Sequence, residues 1–298
     1  MTSPILTAPT PTVPVATVPT SSPPILLTGG TGTLGRFVEP RLRHAGARVR
    51  VLSRHAHDAQ EGVEFVTGDL VTGVGLEAAV AGIGTVVHLG GSVKGDEVRT
   101  QNLVHAAARA GVRHLVNISV VGADRVPMAS AIDRMMFGYF ASKLAAERVV
   151  AGSGLPWTTL RATQFQESLL KLAQAMARLP VIPVPAFQYQ PIAADEVAAR
   201  LVELALGQPA GRVADIAGPR VHDFADLIRD YLRATSRRRL VVRFSPPGKA
   251  AAAVRSGAAL APDRSVGVRT WDALMAEQAA DARGSLRRPG VAHRDRGG

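Results

Sequence analysis

The chain contains no cysteine among its 298 residues, and aromatic side chains make up only 4% of it. The missing thiols exclude disulfides, thiolate metal sites and cysteine nucleophiles. They also fit the reducing cytoplasm, which is the location that we expect. We predict no metal site.

Residues 1–22 lack both a basic start and a continuous apolar block, since proline, threonine, serine, valine and alanine alternate there. This composition is typical neither of a signal peptide nor of a membrane span. We interpret residues 1–22 as a disordered leader and residues 286–298 as a disordered basic tail. The stretch 23–285 remains for the folded domain, and 46% hydrophobic content is enough for a sizeable core.

Lysine is scarce, with four residues against 31 arginines, and the net charge is +11. Residues 231–298 hold 14 basic against 5 acidic side chains, so the excess is mainly C-terminal. Two basic segments, Arg237–Arg239 and the tail from Arg287 to Arg296, could contact nucleic acid or acidic lipid. No aromatics are interleaved there for base stacking, and arginine is enriched throughout. We therefore expect neither a nucleic-acid nor a membrane partner.

A glycine pattern follows the apolar run Ile25–Leu27 and leads into a helical stripe of apolar residues. Gly29 permits a tight strand-to-helix turn, Gly32 permits close approach of a pyrophosphate, and Gly35 permits close helix packing. The free N–H groups at the start of the helix would bind the anion. The pattern predicts a dinucleotide-binding turn, whose expected contact residues are Thr28, Gly29, Thr31, Gly32, Thr33, Leu34 and Gly35.

The second predicted strand ends in Ser53 and Arg54, where an NAD-preferring site carries an acidic residue. An arginine at this position accommodates the 2′-phosphate of NADP instead. Arg36, directly after the third glycine, can add a second planar cation. The sequence therefore favours NADP(H) over NAD(H).

Two later loops also point to the cofactor. Asp69 and Leu70 follow the third predicted strand, where the carboxylate can accept a hydrogen bond from the adenine amino group. Gly90 and Gly91 follow the fourth strand and would let the backbone pass close to the cofactor.

Short apolar strands alternate with helical patterns along the chain, which predicts an α/β protein with a doubly wound parallel Rossmann sheet. The predicted strands after the first are 49–52, 63–66, 85–89, 114–118 and 157–160, and the predicted helices are 96–110, 140–150, 165–177 and 195–206.

These motifs resemble those of the short-chain dehydrogenase/reductases. The similarity is to the extended and atypical branches, which are related to sugar-nucleotide epimerases, isoflavone-type reductases and nitrogen-metabolite-repression-type regulators. It covers about 25–231 and rests on Thr28–Gly35, Asp69, Tyr139–Lys143, Leu155–Arg161 and Asp215–Pro219. The resemblance implies that the C-terminal portion forms a small substrate cap, which we expect from about 163–191 and 218–285. It also implies a possible homodimer, because many relatives pair through a helix bundle.

Tyr139 and Lys143 lie four residues apart, which places both on one face of a helix. A nearby ammonium lowers the pKa of a phenol from about 10. The hydroxyl can then exchange a proton with a substrate oxygen near neutral pH. The resemblance implies that Lys143 also binds the nicotinamide ribose.

The third catalytic group departs from the family pattern. The fifth strand of the family normally ends in a serine or threonine that binds the substrate carbonyl. If this chain follows the epimerase-like register, Val121 occupies that position and Ser119 lies two residues too early. Ser119 or Ser142 would then have to replace the missing donor, and Ser119 is our candidate.

These residues predict an NAD(P)H-dependent oxidoreductase that acts on a small, largely apolar carbonyl-type substrate, with Tyr139 as acid/base and Lys143 as its activator. One alternative is a non-catalytic sensor of NADP(H), which an absent serine would suit. Another is epimerase or dehydratase chemistry on a nucleotide sugar. The pocket segments Met135–Phe137 and Phe187–Tyr189 carry few polar groups, which argues against a sugar.

Overall fold

The computed structural model describes residues 22–58, 60–91 and 95–286. Apart from Ser22, the predicted leader 1–22 lies outside the described residues, as does the predicted tail apart from Leu286. Both assignments stay predictions.

A seven-stranded parallel sheet forms the centre of the molecule, with the strand order β3-β2-β1-β4-β5-β6-β9. The chain moves outward from β1 in one direction and from β4 in the other, so the predicted doubly wound sheet is confirmed. The strands are β1 Ile25–Thr28, β2 Val49–Ser53, β3 Val63–Thr67, β4 Thr85–His88, β5 His114–Val120, β6 Trp157–Ala162 and β9 Gly211–Arg212.

Helices cover both faces of the sheet and create two cores. One core lies under α1 (Gly35–His44) and α6 (Ala194–Leu206), and the other under α2 (Leu76–Val80) and α3 (Asp96–Arg109). Successive strand residues point to opposite faces, so Leu27 packs in the first core and Leu26 in the second. This explains why the central strands are apolar throughout.

The C-terminal region adds two small sheets and further helices. Their bounds are α5 Gln166–Met176, β7 Val181–Pro185, β8 Gln188–Tyr189, β10 His222–Asp223, α7 Phe224–Ala234, β11 Leu240–Phe244, α8 Lys249–Arg255 and α9 Trp271–Leu286. A separate core around the fully buried Trp271 joins α5, α7, α9 and β7. All of these elements fall within the predicted cap segments. None of the described helices combines the length and apolar character needed to cross a bilayer.

One helix begins earlier than the apolar pattern predicts. Helix α4 spans Ala131–Ala151 rather than 140–150 because Ser130 caps it. The Ser130 hydroxyl accepts from the Asp133 N–H, and the Asp133 carboxylate accepts from the Ser130 N–H. Asp133 also accepts from the N–H of Ala250, which fixes α8 against α4.

Candidate functional site

Two positions in the turn after β1, Gly29 and Gly35, accept no residue other than glycine. Gly29 has a φ of 70°, and a Cβ there would lie 2.9 Å from the backbone nitrogen of Gly90. A Cβ on Gly35 would collide with the carbonyl oxygens of Gly29 and Gly30. Helix α1 therefore begins directly against the turn, as the glycine spacing predicts.

The N-terminus of α1 fits an anionic group. Leu34 at the N-cap position makes no side-chain capping hydrogen bond, and the first turn carries no acidic residue. The N–H groups of Arg36 and Phe37 donate to the carbonyls of Gly32 and Leu34. The preceding N–H groups, those of Thr33, Leu34 and Gly35, make no hydrogen bond within the described residues and remain for a ligand. Lys171 of α5 donates a 3.0 Å hydrogen bond to the hydroxyl of Thr33 and so brings a cation to the turn. The residues present thus fit a pyrophosphate.

The positions that would surround the adenosine half are arranged as follows. Arg54 is exposed directly after β2, and exposed Arg36 holds its guanidinium 5.2 Å from the ring centre of Phe37. Asp69 Oδ1 accepts from the N–H of Val71, which shapes the loop after β3. None of Thr31, Arg36, Arg54, Asp69 and Leu70 lines the cleft described next.

A cleft of about 720 Å³ opens between the turn after β1, the ends of β4, β5 and β6, and the C-terminal region. Nine predicted site residues line it: Ser119, Tyr139, Lys143, Gly29, Gly32, Thr33, Leu34, Gly90 and Gly91. Most of the remaining lining is apolar, formed by Leu89, Ile118, Val120, Met136, Phe137, Phe140, Ala162, Phe165, Phe187, Tyr189, Val254 and Ala259. Its volume is in the range of protein ligand sites.

A buried ion cluster holds α4 against the sheet. Arg161 on β6 donates to both oxygens of Glu147 at 2.7 Å and to Asp124 at 2.7 Å, and its side chain is only 4% exposed. Tyr139, Lys143 and Glu147 are spaced by four residues and share one helix face. Arg161 therefore fixes the face of α4 that carries the predicted catalytic pair.

Lys143 is held by a carboxylate that the sequence did not reveal. Its Nζ lies 3.0 Å from Asp96 Oδ2, and both side chains are largely buried. The Asp96 N–H donates to Ser142 Oγ at 3.2 Å, so Ser142 braces α3 against α4. A Cβ on Gly91 would collide with the Lys143 ammonium. The ammonium is thus confined between Asp96 and the Gly91 backbone.

A chain of hydrogen bonds runs beneath this ion pair. Thr100 Oγ1 donates to the Asp96 carbonyl at 2.6 Å, so it must accept from His88 Nε2 at 3.3 Å. His88 Nδ1 then accepts from Thr28 Oγ1 at 2.7 Å, and Thr28 accepts from the Gly90 N–H. His88 is therefore neutral, with its proton on Nε2. Thr28 is fully buried and its hydroxyl holds the Gly90 loop, and its contact with the cofactor stays a prediction.

Burial and the Lys143 charge lower the pKa of His88 from 6.5 to about 3. The unfolded chain takes up a proton at this site below pH 6.5 while the folded chain does not, so stability falls as the pH falls from 6.5 towards 3. We expect about 2 kcal/mol of His88-dependent loss between pH 6.5 and 5. Urea unfolding of the wild type and His88→Gln at both pH values measures it.

His114 also has a pKa lowered by burial, so both proteins lose some stability in acid. The difference between their losses in the free energy of unfolding isolates the contribution of His88. His55→Gln, at an exposed histidine, is the matched control. If wild type and His88→Gln lose stability in parallel, His88 is not the buried neutral group described here.

Desolvation in the cleft raises the pKa of Tyr139 above its usual value of 10. The Lys143 ammonium acts in the opposite direction and the Asp96 carboxylate raises the pKa further. The Lys143 ammonium lies 5.8 Å from the centre of the Tyr139 ring. The expected lowering of the phenol pKa is therefore wrong for this arrangement, because burial and Asp96 outweigh Lys143. Tyr139 is protonated at neutral pH.

The hydroxyl at the end of β5 belongs to Ser119. Ser119 lines the cleft, and its buried Oγ has no hydrogen-bond partner among the described residues. Val121 packs elsewhere, against Ala217 and Ala261, because the chain leaves the sheet after Val120 and turns at Gly122. The epimerase-like register, with Val121 facing the substrate, does not match this geometry.

Sequence reasoning missed several groups around the cleft. Asp96, His88 and Arg161 are polar residues in apolar surroundings, and only the fold shows what they pair with. Gln164 lines the cleft next to β6, and its buried Oε1 has no partner among the described residues. Ser119 and Gln164 thus offer two unused polar atoms in an otherwise apolar cleft. Buried polar atoms of this kind normally find a partner, and a ligand would supply it.

Residues 29–206 match a family model described as NAD(P)H-binding. Over 185 residues the chain is 32% identical to the (4-alkanoyl-5-oxo-2,5-dihydrofuran-3-yl)methyl phosphate reductase of Streptomyces griseus subsp. griseus, covering 59% of this chain and 62% of that protein. Over 156 residues it is 31% identical to the NAD(P)H azoreductase of Xenophilus azovorans, covering 51% and 52%. The chain thus spans less than two thirds of the length of these relatives.

Among solved structures, the NADPH-dependent quinone oxidoreductase of Escherichia coli complexed with NADPH superposes with a TM-score of 0.70. The alignment has 19% sequence identity and covers 85% of this chain and 99% of that one. Because the sequence identity is so low, this structural similarity shows a shared fold and no more. Because the family model covers more than half of the chain, the protein belongs to the NAD(P)H-binding family.

Proposed function

We propose that this protein is an NADPH-dependent reductase of small, largely apolar substrates with a carbonyl or quinone oxygen. The observation that carries the proposal is the meeting of Tyr139, Lys143 and Ser119 with the glycine turn in one apolar cleft. The reductase, azoreductase and quinone oxidoreductase names of its relatives support the same reaction type.

Each residue has a separate task in this mechanism. NADPH supplies the hydride that reduces the substrate. Protonated Tyr139 donates its proton to the substrate oxygen as negative charge develops there. Ser119 donates a hydrogen bond to the same oxygen, and Lys143, held by Asp96, orients the ribose and compensates the tyrosinate that forms. Tyr139 is protonated at neutral pH, as the donor role requires, and the nearby Lys143 ammonium opposes the upward shift of its pKa.

The other two functions have less support from the geometry. A non-catalytic sensor was favoured by a missing serine, whereas Ser119 lies in the cleft. A nucleotide sugar needs many hydrogen-bonding groups, whereas the lining is mostly aliphatic and aromatic. Reduction of an apolar substrate therefore fits best.

The test is a screen of small quinones, aromatic aldehydes, enones and azo dyes for substrate-dependent NADPH oxidation. We expect turnover of at least one class, with product identified by mass spectrometry. If every compound is turned over no faster by wild type than by Tyr139→Phe, while ligands still change NADPH affinity, the protein is a sensor and the proposal is overturned.

We also expect tighter binding of NADPH than of NADH, because exposed Arg54 can pair with the 2′-phosphate. A charge-assisted hydrogen bond contributes about 1.5–3 kcal/mol, so the preference should be about tenfold or more. Arg54→Ala should remove most of it and leave NADH affinity unchanged. Titration of cofactor fluorescence measures both affinities.

Arg178→Ala is the matched control, since Arg178 is exposed and does not line the cleft. It should leave the preference intact. Equal affinities in the wild type would contradict the assignment of Arg54.

A further inference from the structure

Strand β11 presents an apolar face to solvent. Leu240, Val242 and Phe244 alternate along it and are 63%, 43% and 45% exposed. Alternate residues of a strand share one face, and the solvent face of a sheet is normally polar. The outer face of β11 is therefore unusual.

The neighbouring strand β7 extends this surface. Its parallel register places Val181, Pro183 and Pro185 beside Leu240, Val242 and Phe244. Val181 is 47% exposed, whereas Ile182 and Val184 point inward and are fully buried. We call this surface the β7/β11 face: Val181, Pro183, Pro185, Leu240, Val242 and Phe244. It contains no polar side chain.

Three arginines stand at the edge of the β7/β11 face. Arg237, Arg238 and Arg239 directly precede β11 and are exposed. In the described part of the chain no carboxylate forms an ion pair with them, whereas the flanking Arg233 and Arg243 pair with aspartates. The face therefore carries three uncompensated positive charges.

We propose that the β7/β11 face, together with Arg237–Arg239, docks on the surface of an anionic lipid bilayer. Apolar side chains beside arginines match the boundary between acyl chains and anionic headgroups, where each group finds its preferred surroundings. The sequence alone suggested compositional bias for these arginines, because it does not show the apolar face next to them.

Two other occupants fit less well. A stable dimer interface needs about 20–30 residues a side, many more than the six of this face. Nucleic acid binds through its phosphates and would leave an apolar strand face uncovered. A lipid surface uses both the charge and the apolar face.

The face is joined directly to the cleft. The N–H of Ala186 donates to the carbonyl of Phe244 at 2.8 Å, and the next residue, Phe187, lines the cleft. Docking would bring the cleft close to the bilayer, where apolar molecules dissolve. The docking itself does not depend on the proposed reduction, so each can fail alone.

The experiment is cosedimentation of the full chain with phosphatidylcholine vesicles, with and without phosphatidylglycerol. We expect binding only when phosphatidylglycerol is present. Changing Arg237, Arg238 and Arg239 together to Gln should lower the partition coefficient about a hundredfold. The matched control changes the exposed Arg109, Arg113 and Arg148 to Gln, which alters net charge equally at described positions outside the face and should leave binding nearly intact.

A second arm tests the apolar contact. Phe244→Ser should weaken vesicle binding, whereas Val268→Ser, at an exposed valine elsewhere, should not. Phe244→Trp should show a blue-shifted emission with anionic vesicles, after subtraction of the wild-type spectrum. NADPH affinity, measured in parallel, should be the same in all variants and reports that they are folded.

Four results would overturn the proposal. The first is that the wild type does not bind anionic vesicles, and the second is that the two triple-arginine variants lose equal amounts of vesicle binding. The third is that vesicles do not change the emission spectrum of Phe244→Trp. The fourth is that light scattering shows a dimer, which Phe244→Ser dissociates. If duplex DNA displaces the protein from vesicles and Phe244→Ser does not change vesicle binding, the arginines bind nucleic acid instead.

Discussion

Tyr139→Phe is expected to lower the turnover number for NADPH-dependent reduction by about 10² to 10⁴, the usual contribution of a positioned proton donor. The phenyl ring keeps its packing next to Phe140, and no cofactor contact is lost. NADPH affinity should therefore stay unchanged. Steady-state kinetics with the best substrate of the screen, together with NADPH titration, measures both quantities.

Tyr189→Phe is the matched control, because Tyr189 lines the same cleft but packs on Phe224. Burial raises the pKa of Tyr189 to about 12, so it is a poor proton donor, and its loss should change turnover little. Lys143→Met should lower both turnover and NADPH affinity. Similar effects of the two Tyr→Phe changes would exclude Tyr139 as the specific acid.

Arg161→Met is expected to lower the free energy of unfolding by about 3–5 kcal/mol, because it leaves the Glu147 carboxylate buried without its cation. Glu147 lies one turn after Lys143 on α4, so the loosened helix should also reduce turnover. Urea denaturation followed by circular dichroism gives the stability, and the slope of the transition checks that unfolding remains cooperative.

The double variant Arg161→Met/Glu147→Met should recover much of this loss, since it removes both members of the buried pair. Arg220→Met is the surface control, because Arg220 and Asp272 are exposed and 4.0 Å apart, and should cost less than about 1 kcal/mol. A double variant no more stable than Arg161→Met would show that lost packing, not the unpaired carboxylate, causes the destabilisation.

The sequence predicted the sheet and the turn after β1 because both depend on local signals. Apolar runs flanked by helical stripes define the strands, and the positions of Gly29 and Gly35 follow from backbone contacts that no side chain permits. The Tyr139 and Lys143 pair also follows from helical spacing within α4.

The missed features all depend on contacts between distant segments. Asp96 meets Lys143 across α3 and α4, and Arg161 meets Glu147 from a strand to a helix. The direction of the Tyr139 pKa shift was mispredicted because desolvation in the cleft, the largest cause, and the smaller effect of Asp96 cannot be read from helical spacing. The sequence left open whether Ser119 or Val121 faces the cleft, because this depends on where the chain leaves the sheet after β5.

The crowding of Gly91 against Lys143 and Asp96 couples the loop after β4 and the start of α3 to a distant position on α4. A side chain at position 91 requires the ammonium to move, and this movement breaks its 3.0 Å ion pair with Asp96. Substitutions at these positions should therefore be tolerated only in combination. A sequence pattern for this type of site needs the glycine, the aspartate and the lysine together, because Tyr-x-x-x-Lys alone does not specify how its cation is held.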